Sequence, residues 1–147
     1  MTNLMKSIAV TVAVLLTTST TANAWYSKTA NPTSIGTISV GIADNAKGAC
    51  WTNLREVREY AEEKLKIKGY NVVAEMGGGY EFAIKVDAFR SDAGTCIGKY
   101  SAQIWASNIR DGVIGFQEIG SSGNYGTHPN NFNNWVIEVI SNMIEQM

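Results

Sequence analysis

Hydrophobic residues recur every three or four positions in two stretches of the chain, and this spacing predicts two amphipathic helices. The apolar positions of the first stretch are Trp51, Leu54, Val57, Ala61 and Leu65. Those of the second are Phe132, Trp135, Val136, Val139, Ile140 and Met143. Asn53 is the expected N-cap of the first helix, and Gly69 is expected to end it in a left-handed conformation. Each helix is therefore expected to bury one face.

Alternation of apolar and polar residues predicts five strands around these helices. They are expected at residues 34–42, 70–75, 80–88, about 96–108 and 113–121. Residues 121–129 contain two glycines and Pro129, which is typical of a polar loop. Strands joined by short turns pair antiparallel, whereas a strand followed by a helical crossover lies parallel to a neighbour. The predicted fold is α+β: a two-layer sandwich with a mostly antiparallel five-stranded sheet and two amphipathic helices on one face.

The first 24 residues have the composition of a secretory signal peptide. Lys6 precedes an apolar run from Ile8 to Leu16, and small residues follow up to Ala24. The apolar run is shorter than the roughly 20 residues that a membrane-spanning helix needs, so we do not expect the chain to span a membrane. Beyond the signal we predict a leader arm at 25–33 and a single α/β domain at 34–147. The expected location is periplasmic or secreted.

Two cysteines, Cys50 and Cys96, are present in this exported chain. Disulfides form and persist in oxidising compartments, so we predict a bond between them. Closing a loop of that length would stabilise the fold by roughly 4 kcal/mol in the entropy model. A metal pair or a reactive thiol is the alternative, but neither cysteine has a histidine or a further cysteine nearby in the sequence.

The charges are nearly balanced. Twelve Lys and Arg stand against 13 Asp and Glu, for a formal net charge of −1. Basic and acidic residues are interspersed, so the chain lacks the positive footprint of a protein that binds nucleic acid or an anionic membrane surface. We therefore expect no nucleic-acid partner.

Residues that could carry catalysis are few and scattered. His128 is the only histidine, and the serines near it match no nucleophile motif. Glu75, Glu81 and Glu118 could approach one another across strands, but charged side chains on the solvent side of a sheet are common. The aspartates lack the spacing of a calcium loop, and Gly77–Gly79 is followed by no helix that would make a phosphate cradle. We predict no catalytic, metal or cofactor site, and hence no enzyme.

Exposed aromatic residues point to a binding surface instead. If Tyr100 and Ile104 face the helices, Trp105 and Phe89 must face the opposite side of the sheet. An apolar patch there would mark a partner surface or an oligomer contact. The candidate partner-binding residues are Trp105, Phe89, Tyr125 and His128. In the alternative, Trp25 and Tyr26 of the leader arm fold over the patch and bury it.

The sequence resembles a group of bacterial periplasmic α/β domains: the TolB amino-terminal domain, the curli secretion channel subunit and the penicillin-binding-protein activator lipoproteins. The resemblance rests on the helix end Lys68–Val73, the strand Tyr80–Phe89, the Asp111-Gly112 hairpin, the strand end Gly120–Gly123 and the closing helix. It covers most of the chain after the signal. It implies an envelope protein that binds other proteins. The chain departs from many of these domains because it has no lipid-anchoring cysteine and has a predicted disulfide.

Three functional hypotheses follow. The first is a non-enzymatic periplasmic binding or accessory protein that contacts an envelope protein partner through the open sheet face or an edge strand, and that could also form homo-oligomers. The second is an inhibitor or immunity protein against a cell-wall hydrolase or toxin, with residues 121–129 as the inserting loop. The third is a small secreted hydrolase that uses His128.

Overall fold

The computed structural model describes residues 30–75, 79–110 and 113–147. The predicted signal peptide and residues 25–29 of the predicted leader arm lie outside these ranges. The described strands are β1 Thr37–Asp44, β2 Asn71–Val72, β3 Tyr80–Arg90, β4 Cys96–Arg110 and β5 Val113–His128, and the helices are α1 Leu54–Ile67 and α2 Asn133–Glu145. The α+β class is therefore confirmed.

The sheet is mixed, and the prediction of a mostly antiparallel sheet is wrong. Its strand order is β2-β1-β3-β4-β5. β1 pairs parallel with both β2 and β3, whereas β3-β4 and β4-β5 are antiparallel. The expectation that strands joined by short turns pair antiparallel would have made β2 and β3 neighbours. β3 instead lies on the far side of β1, where it pairs from Ile38↔Tyr80 to Asp44↔Val86, while β1 and β2 pair only at Thr37↔Asn71 and Ile38↔Val72.

β5 is longer than its sequence pattern indicated, and the polar loop expected at 121–129 is mostly strand. β5 pairs with β4 as far as His128, which lies opposite Cys96. The glycines that suggested a loop have a packing role here. A Cβ at Gly126 would lie 2.2 Å from Cη2 of the Trp135 ring in α2. This position therefore needs a residue without a side chain, because β5 runs directly against that ring.

Helix α1 ends as the sequence predicted but begins differently. Gly69 has φ +92°, and the backbone N–H groups of Gly69 and Tyr70 donate to the carbonyls of Lys66 and Leu65. This pair of bonds is the Schellman arrangement that ends many helices. At the start, Asn53 occupies the N-cap position but makes no side-chain cap bond. Its Nδ2 donates to Glu56 Oε2 at 2.9 Å instead.

The hydrophobic core lies on the face of the sheet formed by even-numbered residues of β1, β3 and β4. Fully buried side chains of this face, such as Ile38, Phe82 and Ile104, share one cluster with buried residues of both helices. The α1 residues in the cluster are Val57, Ala61 and Leu65, as predicted. The helices contact each other, α1 contacts β1 and β2, and α2 contacts β4. No helix in the described ranges is both long and apolar enough to cross a membrane.

The predicted disulfide is confirmed. Cys50 and Cys96 are joined, are both fully buried, and have Cα atoms 5.5 Å apart. The bond fastens the segment before α1 to the first residue of β4. Arg90, opposite Cys96 in β3, donates to the carbonyls of Gly48 (2.7 Å) and Gly94 (2.6 Å), so the same two segments are also held by hydrogen bonds.

Candidate functional site

The odd-numbered residues of β3 and β4 form the second face of the sheet, which we call the outer face. Paired residues of neighbouring strands point to the same side. The register therefore forms one row across β3, β4 and β5 from Asp87, Lys99 and Tyr125, and a second row from Phe89, Ile97 and Thr127. These rows lie at the end of the sheet where β3 finishes. The outer face therefore combines aromatic, aliphatic and charged side chains over a short distance.

Three apolar side chains of this end of the outer face are exposed. The exposed fractions are 54% for Phe89, 36% for Ile97 and 76% for Tyr125. Phe89 and Ile97 are direct cross-strand neighbours, and Tyr125 is diagonal to Ile97 on β5. We call these three residues the aromatic patch. Large apolar side chains that cluster on a surface are the usual mark of a contact site.

A shallow depression of about 370 Å³ adjoins the aromatic patch and is lined by both of its aromatic residues. Asp87 also lines this depression and contacts the polar and charged side chains near it. Its Oδ1 accepts a hydrogen bond of 2.8 Å from Asn45 Nδ2, and its Oδ2 lies 3.5 Å from Lys85 Nζ and 4.0 Å from Lys99 Nζ. The apolar side chains are thus bordered by one carboxylate and two ammonium groups. This combination is suited to contact with a protein surface that has both apolar and charged groups.

The structure separates the four predicted partner-binding residues. Phe89 and Tyr125 belong to the aromatic patch, but Trp105 does not. It lies on the outer face, as predicted, between Glu81 of β3 and Glu118 of β5, and is only partly exposed. Trp105 lies eight positions along β4 from Ile97, which corresponds to about 26 Å at 3.3 Å per residue. Trp105 and the aromatic patch are therefore separate surfaces.

His128 lies on the other side of the sheet. It pairs with Cys96, whose side chain is buried on the core side, and it is three residues from Tyr125, so the two side chains point to opposite faces. Its Nδ1 is 3.4 Å from the backbone N–H of Asn130. His128 is thus placed at the end of a paired strand, apart from the aromatic patch.

The three glutamates considered for acid–base chemistry do not share one site, although Glu81 has a neighbour in common with each of the other two. Glu81 and Glu118 flank Trp105 on its two sides, and Glu118 Oε2 accepts a hydrogen bond of 2.9 Å from Gln103 Nε2. Glu75 lies beyond β2 and lines a depression at the edge of β1 that Glu81 also lines. No cluster of three metal-ligating side chains occurs among the residues that the structure describes.

Sequence reasoning missed Ile97 and the polar groups around it. Ile97 could have been found by extending the alternation of β4 two residues back from Lys99. Asn45 could not, because it follows β1 in sequence and reaches Asp87 only through the parallel pairing of β1 with β3.

Comparisons with known proteins give a likeness in structure only. No known protein family matches the chain, and no curated protein is similar to it in sequence. Two solved structures of PelC dodecamers from Paraburkholderia phytofirmans are similar in structure. One, a point mutant, is 13% identical, with a TM-score of 0.46 over 76% of this chain and 85% of that chain. The other is 10% identical, with a TM-score of 0.46 over 77% of this chain and 88% of that chain. At this degree of similarity the PelC structures carry no argument about the function of this chain.

Proposed function

We propose that the protein is an exported, non-enzymatic binding or accessory protein of the bacterial envelope, and that it acts by contact with another protein through the aromatic patch. The exposure of Phe89, Ile97 and Tyr125 side by side is the observation that carries the proposal. Aromatic side chains supply much of the binding energy in protein interfaces, and a polar border of charges such as Asp87 and Lys99 is typical of their rim.

The compartment and the open face support this reading. A buried disulfide is favoured in an oxidising compartment, which agrees with the predicted export. We further infer that both helices cover the face opposite the aromatic patch, since Val57 of α1 and Val136 of α2 share the core cluster with Phe82 and Ile104. In this arrangement the outer face is left available for a partner.

The inhibitor hypothesis loses the element on which it was built. Residues 121–128 are not a free loop that could enter an active site, because they are paired along β4. The resemblance to TolB-like and related periplasmic domains remains part of the proposal, since it implies the same mode of action through protein contact.

Site-specific photo-crosslinking in the host bacterium tests the proposed function. A photoreactive phenylalanine analogue at Tyr125 should capture one partner protein, whereas the same analogue at Ile67 should not. Ile67 is the matched control because it is 73% exposed and lies on α1. With the captured partner purified, Phe89→Ser combined with Tyr125→Ser should weaken binding by roughly 30-fold, the size of a hot-spot loss, and Ile67→Ser should leave it unchanged.

Two results would overturn the proposal. Equal capture at Tyr125 and Ile67 would show that the aromatic patch is ordinary surface. Capture only of a second copy of the chain would replace the envelope partner by a homo-oligomer. A variant lacking residues 25–29 should bind the partner at least as well as the full exported chain, and weaker binding would show that the leader arm, and not the patch alone, makes the contact.

A further inference from the structure

Beyond its short pairing with β2, the edge of β1 has backbone hydrogen-bonding groups that no described residue pairs with. β2 pairs with β1 only at Thr37 and Ile38, and the Ile38 carbonyl accepts a hydrogen bond from Val73 at 2.9 Å on that side. Backbone direction alternates along a strand, so Val40 and Ile42 also present their N–H and C=O groups there. Within the described ranges, no residue pairs with these groups. Unpaired edges of this kind are templates for an added strand.

Charged residues of opposite sign stand on the two sides of this edge. On the helix side, Arg58 of α1 lines two depressions along β1, of about 350 and 480 Å³, which both include Ile42. On the outer face, the Glu81 carboxylate lies over Gly41, since a Cβ there would be 2.6 Å from it. Among the described residues, neither Arg58 nor Glu81 forms an ion pair. Ala74 and Glu75 also line the first of these depressions. We call the edge of β1 between Arg58 and Glu81 the groove.

We propose that this groove binds an extended segment of a partner protein as an added strand, in which an acidic side chain facing Arg58 is followed or preceded by a basic side chain facing Glu81. Neighbouring side chains of a strand point to opposite faces. The positions of the two charged residues in the segment must therefore differ by an odd number, as in i and i+1. Main-chain hydrogen bonds would provide affinity, and the paired charges would provide specificity and register.

The charges also argue against segments of the chain itself. Residues 25–29 contain Lys28 but no carboxylate. The edge strand β5 contains Glu118 but no Lys or Arg, and β1 contains Asp44 but no Lys or Arg. A second copy that offered either strand could satisfy Arg58 but not Glu81. A foreign segment with both charges complements the groove better than any of these.

The exchange of the backbone amides with deuterium in the free exported chain is the first measurement. The N–H groups of Val40 and Ile42 should exchange rapidly, in contrast to those of Ser39 and Gly41, which point toward β3. Slow exchange at Val40 and Ile42 in the free protein would overturn the proposal, because it would mean that a segment of this chain or a second copy already occupies the edge.

Two peptides of identical composition, both with blocked termini, then test whether the two charges must lie on opposite faces of the added strand. Val-Thr-Glu-Lys-Val-Thr has its charges on opposite faces of an added strand, whereas Val-Thr-Glu-Val-Lys-Thr has them on the same face. Binding is followed through the amide resonances of Val40 and Ile42 at low salt. We expect the first peptide to shift and protect both amides, and to bind at least several-fold more tightly than the second. Equal binding, or no binding of either peptide, would refute the proposal.

Protein variants separate the groove from ordinary surface charge. Arg58→Glu should lower the affinity for the first peptide by about tenfold, because the attraction between Arg58 and the peptide's glutamate becomes a repulsion. Lys66→Glu makes the same charge change two turns along α1 and should have little effect. N-methylation of a peptide N–H that meets Val40 or Ile42 should abolish binding. The proposal is independent of the aromatic patch, so Phe89→Ser with Tyr125→Ser should bind the peptide as the wild type does.

Discussion

Substitution of Gly126 by alanine tests the contact between β5 and α2, which the sequence pattern did not reveal. The added Cβ would lie 2.2 Å from Cη2 and 2.6 Å from Cζ2 of Trp135. The ring cannot easily retreat, because its centroid is 4.5 Å from that of Tyr100 and 5.0 Å from that of Phe132, both in edge-on contacts. Either β5 or the aromatic cluster must shift.

The expected cost follows from two opposing terms. Overpacking of this kind costs about 1–3 kcal/mol, and the closeness of the contact to a rigid ring places it near the upper end. Loss of backbone freedom in the unfolded chain offsets about 0.4–1 kcal/mol. Gly126→Ala should therefore lower the free energy of unfolding by about 2 kcal/mol, or the melting temperature by roughly 8 °C for a domain of this size.

Urea unfolding followed by circular dichroism measures this difference. The matched control is Gly36→Ala, because a Cβ at Gly36 meets nothing within 4 Å. This control should be neutral or slightly stabilising. In a Trp135→Leu background, Gly126→Ala should cost much less, which gives a coupling energy of about 2 kcal/mol between the two sites. If both glycine variants are equally stable, or if Gly126→Ala costs the same with and without the tryptophan ring, the packing of β5 on α2 is incorrect.

Two further predictions concern the disulfide and the buried phenols. Replacing Cys50 and Cys96 together by alanine should lower the free energy of unfolding by about 4 kcal/mol, since their separation of 46 residues closes a long loop; a loss below about 1 kcal/mol in urea titrations would contradict this. Burial raises the pKa of Tyr70 and of Tyr100 above 10.0. Both phenols therefore ionise first in the unfolded chain, so the stability that they contribute should be constant up to about pH 10 and fall above it. Tyr100→Phe should flatten that fall, and an unchanged pH profile would count against the burial of Tyr100.

Local patterns were sufficient wherever a residue's neighbours along the chain decide its structure. The stripe Val57, Ala61 and Leu65 and the stop at Gly69 predicted α1 correctly, because helix periodicity and left-handed backbone are properties of short segments. The cysteine pairing was also predictable, since the chain offers only Cys50 and Cys96.

Predictions that depended on long-range packing were less successful. Gly123 and Gly126 are typical of a loop when read locally, yet they lie in β5. Glycine is needed there because a Cβ would meet the Tyr100 carbonyl of β4 at Gly123 and the Trp135 ring of α2 at Gly126. Likewise, alternation placed Phe89 and Trp105 on one face but could not give the distance between them, which depends on register along β4.

The sequence by itself determined the two amphipathic helices, the alternation of the strands and the disulfide, because each depends on residue types and spacings within the chain. Only the tertiary structure decided that β3 lies beside β1, which makes the sheet mixed and leaves the β1 edge at Val40 and Ile42 without a described partner strand. The physical reason is that strand order depends on which long edges pair most extensively. β3 gains many more backbone hydrogen bonds beside β1 than the two-residue β2 could offer it.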